Sequence, residues 1–355
     1  MCNGVKNELS KSRCITDGQD NYFFGYYDVQ PWNKEGNLHL CHKVKFWERM
    51  PEKGEIAEIG VIDINNENKY TKLAETTAWN FQQGSLLRWN PAAPNDEIIY
   101  NINENGQYKG VIMNIKTGEK RFTDYPLANV DSSGNYGLSI NFSRLYDFRP
   151  GYGYGEIEDP YYNVNHPKDD GIFLVDLKTG KSKLVLSTDE LWNLTKDTLD
   201  SDEKVLVNHI NFNEDGSRFV CLFRNFPENG GRWKTAVITA NRDGSDPYVL
   251  CDFDIASHYF WKDKENLIIY ANHYDGVQLY MWKDKTHQAN LIGKDFFKGE
   301  DGHCSFSPDK KYVLYDCYWN ADGYRPLNLY DVEEDKGITL GLYYSHPELE
   351  PEDIR

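Results

Sequence analysis

Three segments share one pattern: NHINFNEDGSRFVCLFR (208–224), SHYFWKDKENLIIYANH (257–273) and GHCSFSPDKKYVLYDCY (302–318). In each segment, two residues separate a histidine from an aromatic residue, and a polar turn then leads into an apolar run typical of a β-strand. The three histidines are spaced by 49 and then 45 residues. A repeat of this length predicts one four-stranded blade of a β-propeller for each copy.

The same unit occurs in weaker form upstream, at residues 26–44, 82–101 and 126–144. Each copy is followed by a second unit made of a strand, a tight turn and a strand, which we interpret as the outer hairpin of a blade. These hairpins are EIGVIDINNENKYTKL, KGVIMNIKTGEKRFT, GIFLVDLKTGKSKLVL, TAVITANRDGSDPYVL, QLYMWKDKTHQANLI and PLNLYDVEEDKGITLG. The sequence therefore predicts an all-β propeller with six recognisable blades, in a single domain over residues 1–355. The alternative is a seven-bladed fold that lacks its last blade, because the last hairpin ends near Tyr344 and only SHPELEPEDIR remains after it.

Two stretches depart from this pattern. Residues 147–170 are rich in Gly, Pro and Tyr, and they predict a loop insertion over one face of the propeller. Residues 187–202, STDELWNLTKDTLDSD, have an acidic start and predict one or two helical turns.

Composition excludes some classes of function. The formal net charge of −17 argues against a nucleic-acid partner, although a local basic cleft can lie within an acidic surface. The seven cysteines are scattered and form no C-x-x-C motif, which favours free thiols in a reducing compartment. No signal-peptide or transmembrane pattern is seen, so we expect a cytoplasmic protein with no membrane partner. Cys2 after Met1 leaves a matured lipoprotein as the alternative.

The repeat also predicts where three histidines lie. His209, His258 and His303 occupy the same position in three blades, so they should converge near the propeller axis. One interpretation is a blade-packing role. The other is a site at the channel mouth, with histidines acting as metal ligands or acid/base groups. The histidines at 39, 42, 273, 287 and 346 break the register, and we interpret them as ordinary core or surface residues.

Several arginines lie close to these histidines in the sequence. Arg224 ends the first histidine segment, and Arg232 follows it in the loop FPENGGRW. Arg144 and Arg149 flank the insertion. Arginine binds carboxylates in a bidentate manner and can stabilise the charge of an enolate-like species. A surface ion pair is the simpler interpretation of any single arginine, whereas several arginines beside a ring of histidines indicate an acidic ligand more strongly than one does.

GHCSFSPDKKYVLYD, SHYFW and QQGSLLRW together resemble the propeller polysaccharide lyases, namely oligogalacturonate lyase and, more distantly, the ulvan lyases. The resemblance covers most of the chain in blade order, although SFSPD also marks TolB-like and WD40-like repeats. It implies a seven-bladed propeller that cleaves uronate-containing chains by β-elimination. In that reaction a basic residue removes the proton at C5, while a metal or an arginine neutralises the carboxylate.

The resemblance implies roles for individual residues. His258 and His303 match the histidines that hold a divalent metal such as Mn²⁺, and Arg232 falls where these enzymes carry a catalytic arginine. Arg224 and His209 are the other expected catalytic residues, although Asn208 stands where the ulvan lyase-like members would have a tyrosine. The expected substrate-binding residues are Arg144, Tyr154, Gln83 and Tyr27.

The chain also departs from this family. It ends where the family would begin its last blade, so the final histidine cluster of the metal site has no counterpart. The expected partner is a short acidic oligosaccharide, and nothing in the pattern indicates an oligomeric state.

Two other functions remain open at this point. A non-catalytic TolB-like propeller would bind a glycan or a protein, with Tyr152, Tyr154, Tyr161 and Tyr162 stacking on the ligand. A glycoside hydrolase would use paired carboxylates, for which Asp28, Glu156 and Glu158 are candidates. Propeller folds carry many activities, so fold alone does not choose between them.

Overall fold

The structure is a computed structural model that describes residues 5–6, 9, 11–199, 201–227 and 231–344. It consists of six antiparallel sheets, each built on four strands that follow one another in the chain, and one of them has a fifth strand. The predicted all-β propeller with six blades is confirmed. No seventh sheet occurs within these ranges, and the segment SHPELEPEDIR lies outside them.

The first three blades come from the N-terminal half of the chain. Blade 1 contains β2 (Asn21–Phe23), β3 (Leu38–Val44), β4 (Ala57–Asp63) and β5 (Lys69–Thr76). Blade 2 contains β6 (Arg88–Trp89), β7 (Glu97–Glu104), β8 (Gln107–Asn114) and β9 (Lys120–Phe122). Blade 3 contains β10 (Asn129–Val130), β11 (Tyr136–Ser139), β12 (Gly171–Asp176) and β13 (Ser182–Ser187).

The three histidine segments form the next three blades. Blade 4 contains β14 (Val205–Phe212), β15 (Arg218–Asn225), β16 (Thr235–Asn241) and β17 (Tyr248–Asp254). Blade 5 contains β18 (Ala256–Trp261), β19 (Asn266–His273), β20 (Gly276–Lys283) and β21 (Ala289–Leu291). Blade 6 contains β22 (Cys304–Phe306), β23 (Tyr312–Asp316), β24 (Tyr324–Asp331) and β25 (Lys336–Tyr344).

A short N-terminal strand, β1 (Val5–Lys6), pairs antiparallel with the outer edge of blade 6. It adds a fifth strand there, so both ends of the described chain meet in one sheet. Near the propeller axis, the Tyr27 hydroxyl donates to the Tyr259 carbonyl at 2.7 Å, which ties blade 1 to blade 5.

Three short helices interrupt the strands. The predicted helical stretch forms α2 (Thr188–Thr195) and a 3₁₀ turn at Lys196–Thr198. The Ser187 side chain accepts from the backbone of Glu190, and Glu190 accepts from the backbone of Ser187, which is a capping box. The other two helices, α1 (Phe142–Phe148) and α3 (Lys294–Phe297), were not predicted.

The core consists of hydrophobic clusters between neighbouring blades. All eight residues of β15 are buried, and successive residues join different clusters: Phe219, Cys221 and Phe223 lie in one, and Val220 and Leu222 in the next, as expected for a sheet packed on both faces. The six cysteines in the described residues are all unpaired, and Cys2 lies outside them. Among the described helices, none is long and apolar enough to cross a membrane.

Candidate functional site

One end of the propeller channel opens into a cavity of about 780 Å³, which we call the axial pocket. His209, His258 and His303 line it, and so do Arg224 and Arg232. The structure thus brings together the five residues that the repeat and the resemblance selected. Their chemical roles remain predictions.

Irregular strands aim two of these histidines. His209 lies in β14, where pairing with β15 shifts register between Val207 and Ile210. His258 lies in β18 at a similar shift, between Ala256 and Tyr259. Such a bulge redirects a side chain out of the regular alternation of a strand.

His258 and His303 each pair with a carboxylate. His258 Nδ1 lies 2.9 Å from Asp301 Oδ1, and His303 Nδ1 lies 3.2 Å from Asp316 Oδ2. The ring centroids of the two histidines are 4.4 Å apart. Burial raises the pKa of Asp316, but the hydrogen bond and the charge of His303 outweigh burial and lower it overall. A carboxylate that accepts from Nδ1–H fixes the orientation of the ring and leaves Nε2 for other partners.

These two histidines do not complete a metal site. Within the described ranges, no group of three or more His, Cys, Asp or Glu side chains is placed to hold a metal ion. Asp301 and Asp316 are instead occupied by the histidine Nδ1 atoms. The ligand set expected for Mn²⁺ therefore does not fit the residues present, and we derive no chemical step through a metal.

His209 is packed against an aromatic ring and an amide side chain. Its ring stacks on Tyr26, with centroids 5.0 Å apart, and its Nδ1 lies 2.9 Å from Gln83 Nε2. Burial is the main reason that its pKa lies well below the ordinary value, and the positive charge of Arg224 adds to the effect. His209 is therefore neutral near pH 7 and can accept a proton.

The arginines form the positive wall of the pocket. Arg224 Nε donates to Thr235 Oγ1 at 3.1 Å, whereas its buried Nη1 has no hydrogen-bond partner. Arg149 Nη1 donates to the Tyr152 hydroxyl at 2.8 Å. Arg232 is exposed at the rim.

The carboxylates in the described part of the chain form no ion pair with these three arginines. The pocket is therefore locally basic in a chain whose net charge is −17. Burial lowers the pKa of Arg224, while nearby Tyr152 and Tyr26 oppose this shift. A guanidinium that has lost water and lacks a carboxylate partner attracts an anion strongly.

The QQGS segment (residues 82–85) positions the ring of His209. Gln83 is buried and does not line the axial pocket, but its amide holds the His209 ring. Next to it, Ser85 N donates to His42 Nε2 at 3.1 Å, and His42 Nδ1 lies 2.7 Å from the Phe24 carbonyl. His42, interpreted from the sequence as an ordinary residue, thus anchors the segment that positions Gln83.

Gly84→Ala is expected to destabilise the protein by more than about 2 kcal/mol. Gly84 has a φ of +59°, and an added Cβ would lie 2.2 Å from Cε1 of the His42 ring. The free energy of unfolding in urea measures the effect. Gly118→Ala is the matched control, because Gly118 has a φ of +76° but nothing within 4 Å, so only backbone strain of about 1 kcal/mol is expected. Equal losses in both variants would refute the close contact.

His42 also predicts acid sensitivity. Burial lowers its pKa from 6.5 to about 4. The unfolded chain therefore takes up a proton below about pH 6.5 and the folded protein does not, so stability falls as pH drops toward 4. Between pH 7 and pH 5 we expect a loss of about 2 kcal/mol from this residue. Urea unfolding should show a smaller loss in His42→Gln, whereas the exposed His287→Gln should behave as the unmodified protein.

Besides Gln83, two of the expected substrate-binding residues lie outside the pocket. Arg144 is 2% exposed, pairs with Asp159 at 3.1 Å and donates to the carbonyls of Val205 and Asn165, so it holds the insertion against blade 4. Tyr154 is fully buried and stacks on Phe142, with centroids 4.4 Å apart. Neither side chain is placed to touch a ligand in the axial pocket.

The fourth expected substrate-binding residue, Tyr27, does line the axial pocket. Its ring stacks on His303, with centroids 4.7 Å apart. From the insertion, Tyr152 lines the pocket. The candidate carboxylates Asp28, Glu156 and Glu158 do not line it, so no pair of them faces a ligand there.

Sequence reasoning missed several lining residues. Tyr26 and Arg149 were not assigned a role, and Asp301 and Asp316 were not recognised as partners of the histidines. A usable signal was present, because Asp301 comes two residues before His303 and Asp316 lies two residues before the end of the third repeat.

Comparisons with known proteins agree with the fold. An oligogalacturonate lyase in complex with manganese matches with a TM-score of 0.61 and 13% identity, covering 94% of this chain and 82% of that one. An oligogalacturonate lyase from Vibrio parahaemolyticus matches with a TM-score of 0.58 and 12% identity, covering 92% and 80%. TolB from Acinetobacter baumannii matches with a TM-score of 0.39 and 10% identity, covering 94% and 56%.

These likenesses show the propeller fold. At such low identity the two lyase matches do not indicate the activity of this chain, and the TolB match is too weak to support any argument. The resemblance stated from the sequence is thus confirmed for the fold. No protein-family model and no curated protein matches the chain.

Proposed function

We propose that the axial pocket binds an acidic sugar of a uronate-containing oligosaccharide and cleaves the chain by β-elimination. The observation that carries the proposal is the wall of three arginines without carboxylate partners among the described residues, next to the neutral His209. A carboxylate supplies the charge that this wall lacks. The aromatic lining, including Tyr26, suits the apolar face of a sugar ring.

Binding by the arginines prepares the substrate for proton loss. A guanidinium beside the carboxylate stabilises the negative charge that develops when C5 is deprotonated. Arg224 is the main candidate because its Nη1 is buried without a partner. Arg149 lies beside the same Trp233 ring as Arg224, Arg232 also lines the pocket, and both would orient the carboxylate.

His209 is then the proton acceptor. The Gln83 amide can present either its oxygen or its NH₂ group to Nδ1, and with the oxygen facing Nδ1 the ring keeps its Nε2 lone pair free. Nε2 takes the proton from C5, the electron pair forms a double bond between C4 and C5, and the bond from C4 to the glycosidic oxygen breaks. The atoms balance when that oxygen receives a proton.

We assign the supply of this proton to Tyr26. Its ring stacks on His209, and burial raises its pKa well above 10, so the hydroxyl is protonated at neutral pH. Transfer of a proton from His209 back to Tyr26 would restore both residues. Tyr26 thus takes the place of the tyrosine that the sequence lacks at Asn208.

A binding protein without catalysis is the second candidate. The large aromatic lining of the pocket favours it, because such a lining could hold a sugar by stacking alone.

The test is ultraviolet absorbance of unsaturated uronate products, measured with a panel of uronate oligosaccharides, with added Mn²⁺ and with a chelator. Absorbance that rises in both conditions supports elimination by the residues present. Binding without any rise would support the second candidate. A cytoplasmic location, with short imported oligosaccharides as substrates, is part of the same proposal.

A further inference from the structure

The blade 1 side of the axial pocket carries an indole ring without a stacking partner. Trp47 follows β3 and lines the pocket, and its side chain is partly buried. Among the described residues, no aromatic ring or cation stacks on this indole, and its N–H has no acceptor. The ring of Phe81, which also lines the pocket, packs instead against Phe23 and Trp79. The indole of Trp47 is therefore available to a ligand.

Gln82 adds an unused hydrogen-bonding group on the same side. It lines the pocket, and its Oε1 is buried with no hydrogen-bond partner in the described part of the chain. A buried amide oxygen without a donor is unfavourable, and rotation of the amide can bring either of its ends to a ligand. The next residue, Gln83, contacts His209 Nδ1 at 2.9 Å. A sugar hydroxyl bound by Gln82 would thus lie close to the bond that His209 acts on.

This side of the pocket lacks the positive charge of the arginine wall. The pocket-lining residues from blade 1 and its connection to blade 2 are all uncharged, namely Tyr26, Tyr27, Trp47, Phe81 and Gln82. Arg49 is held by both carboxylate oxygens of Glu55, at 2.7 and 2.6 Å. The Glu48 carboxylate accepts from the backbone N–H of Trp47 at 3.0 Å, so a negative charge lies next to the indole. An anionic group placed here would be repelled.

The uncharged side and the arginine wall face each other across the propeller axis. In a ring of six consecutive blades, blade 1 lies opposite blade 4, which carries Arg224. Between them, Tyr26 of blade 1 stacks on His209 of blade 4. A cavity of about 780 Å³ is large enough for more than one sugar ring. A disaccharide whose carboxylate contacts the arginines therefore extends toward Trp47 and Gln82.

We propose that the blade 1 side of the axial pocket is a subsite for a sugar without any acidic group, linked at C4 of the uronate that the arginines bind. Trp47 stacks on the C–H face of this sugar, and the Gln82 amide bonds to one of its hydroxyls. This inference rests on the proposed function and names its substrate class. The chain that is cleaved carries a neutral sugar next to the uronate, rather than a second uronate or a sulfated sugar.

The experiment compares two disaccharides that differ in one charge. The first is a di-uronate, and the second is the same compound with the carboxyl group of its C4-linked sugar reduced to a primary alcohol. Isothermal titration calorimetry should show that the unmodified protein binds the reduced disaccharide about fivefold more tightly. Glu48→Gln should narrow this difference, because it removes the negative charge beside the indole.

Variants of the two contact residues locate the subsite. In Trp47→Ala, the dissociation constant of the reduced disaccharide should rise about tenfold, and that of a single methyl uronoside should change less than about twofold. Trp47→Phe should restore most of the affinity, because a ring is kept. Gln82→Leu should weaken the reduced disaccharide about fivefold. Phe122→Ala is the matched control, since Phe122 is 44% exposed on β9 and does not line the axial pocket.

Two results would overturn the neutral subsite while leaving the proposed function intact. One is equal or tighter binding of the di-uronate by the unmodified protein. The other is an equal change for the disaccharide and the single uronoside in Trp47→Ala. If the unmodified protein binds none of the three ligands, the proposed function fails and the subsite fails with it.

Discussion

Arg224→Met is expected to weaken the binding of an acidic oligosaccharide about a hundredfold, because it removes the charged hydrogen bonds to the carboxylate. Methionine keeps much of the volume of the arginine stem and so isolates the charge. Titration calorimetry gives the dissociation constant. Arg224→Lys should fall between the two proteins, since it keeps the charge but loses the bidentate geometry.

The same variant should be at least as stable as the unmodified protein without ligand. Arg224 is a buried charge with hydrogen bonds to the neutral side chains of Thr235 and Tyr152 and an unsatisfied Nη1, so its removal ends a desolvation cost. Unfolding in urea checks this second readout. Arg121→Met is the control, because Arg121 pairs with Glu97 on an exposed face of blade 2. This substitution should leave ligand binding unchanged and lower the stability only slightly. Full binding by Arg224→Met, or marked destabilisation, would show a structural role instead.

His209→Leu is expected to lower the rate of elimination about a thousandfold, which is within the usual contribution of a positioned acid/base group. Sugar affinity should change only a few-fold, because the arginine wall remains. The turnover number is measured by the absorbance of the unsaturated product, and the affinity by calorimetry on the same preparation. This separation of kcat from binding distinguishes a proton-transfer group from a packing residue.

His287→Leu serves as the control, since His287 is exposed on the outer part of blade 5 and lies outside the axial pocket. It should keep full activity. Gln83→Leu should reproduce part of the loss in kcat without loss of affinity, because it frees the His209 ring rather than removing it. Equal losses of kcat and affinity in His209→Leu would argue that the ring only packs the blade.

The fold was readable from the sequence to an unusual degree because its units are local. Each outer hairpin carries its own alternation and turn residues within about sixteen residues, and all six predicted hairpins pair as strands in the structure. The helices α1 and α3 were not predicted, since each is shorter than the span in which helical periodicity becomes visible.

The site was only partly readable. A repeat brings equivalent positions to one end of the axis, so His209, His258 and His303 could be placed together without any contact being known. Arg144 and Tyr154 were chosen for residue type and position in the insertion, but both are buried where the insertion packs on blades 2 to 4. Composition cannot reveal which side of a loop faces the core.

The sequence by itself determined the six recognisable blades, the order of their strands and the ring of histidines, because these follow from short-range patterns and their repetition, whereas it left a seventh blade open. Only the tertiary structure decided which residues meet. Tyr27 reaches the Tyr259 carbonyl across 232 residues, and Gln83 reaches His209 across 126. Such contacts depend on the closing of the ring and on the path of non-repeated loops, for which no local pattern in the chain carries a signal.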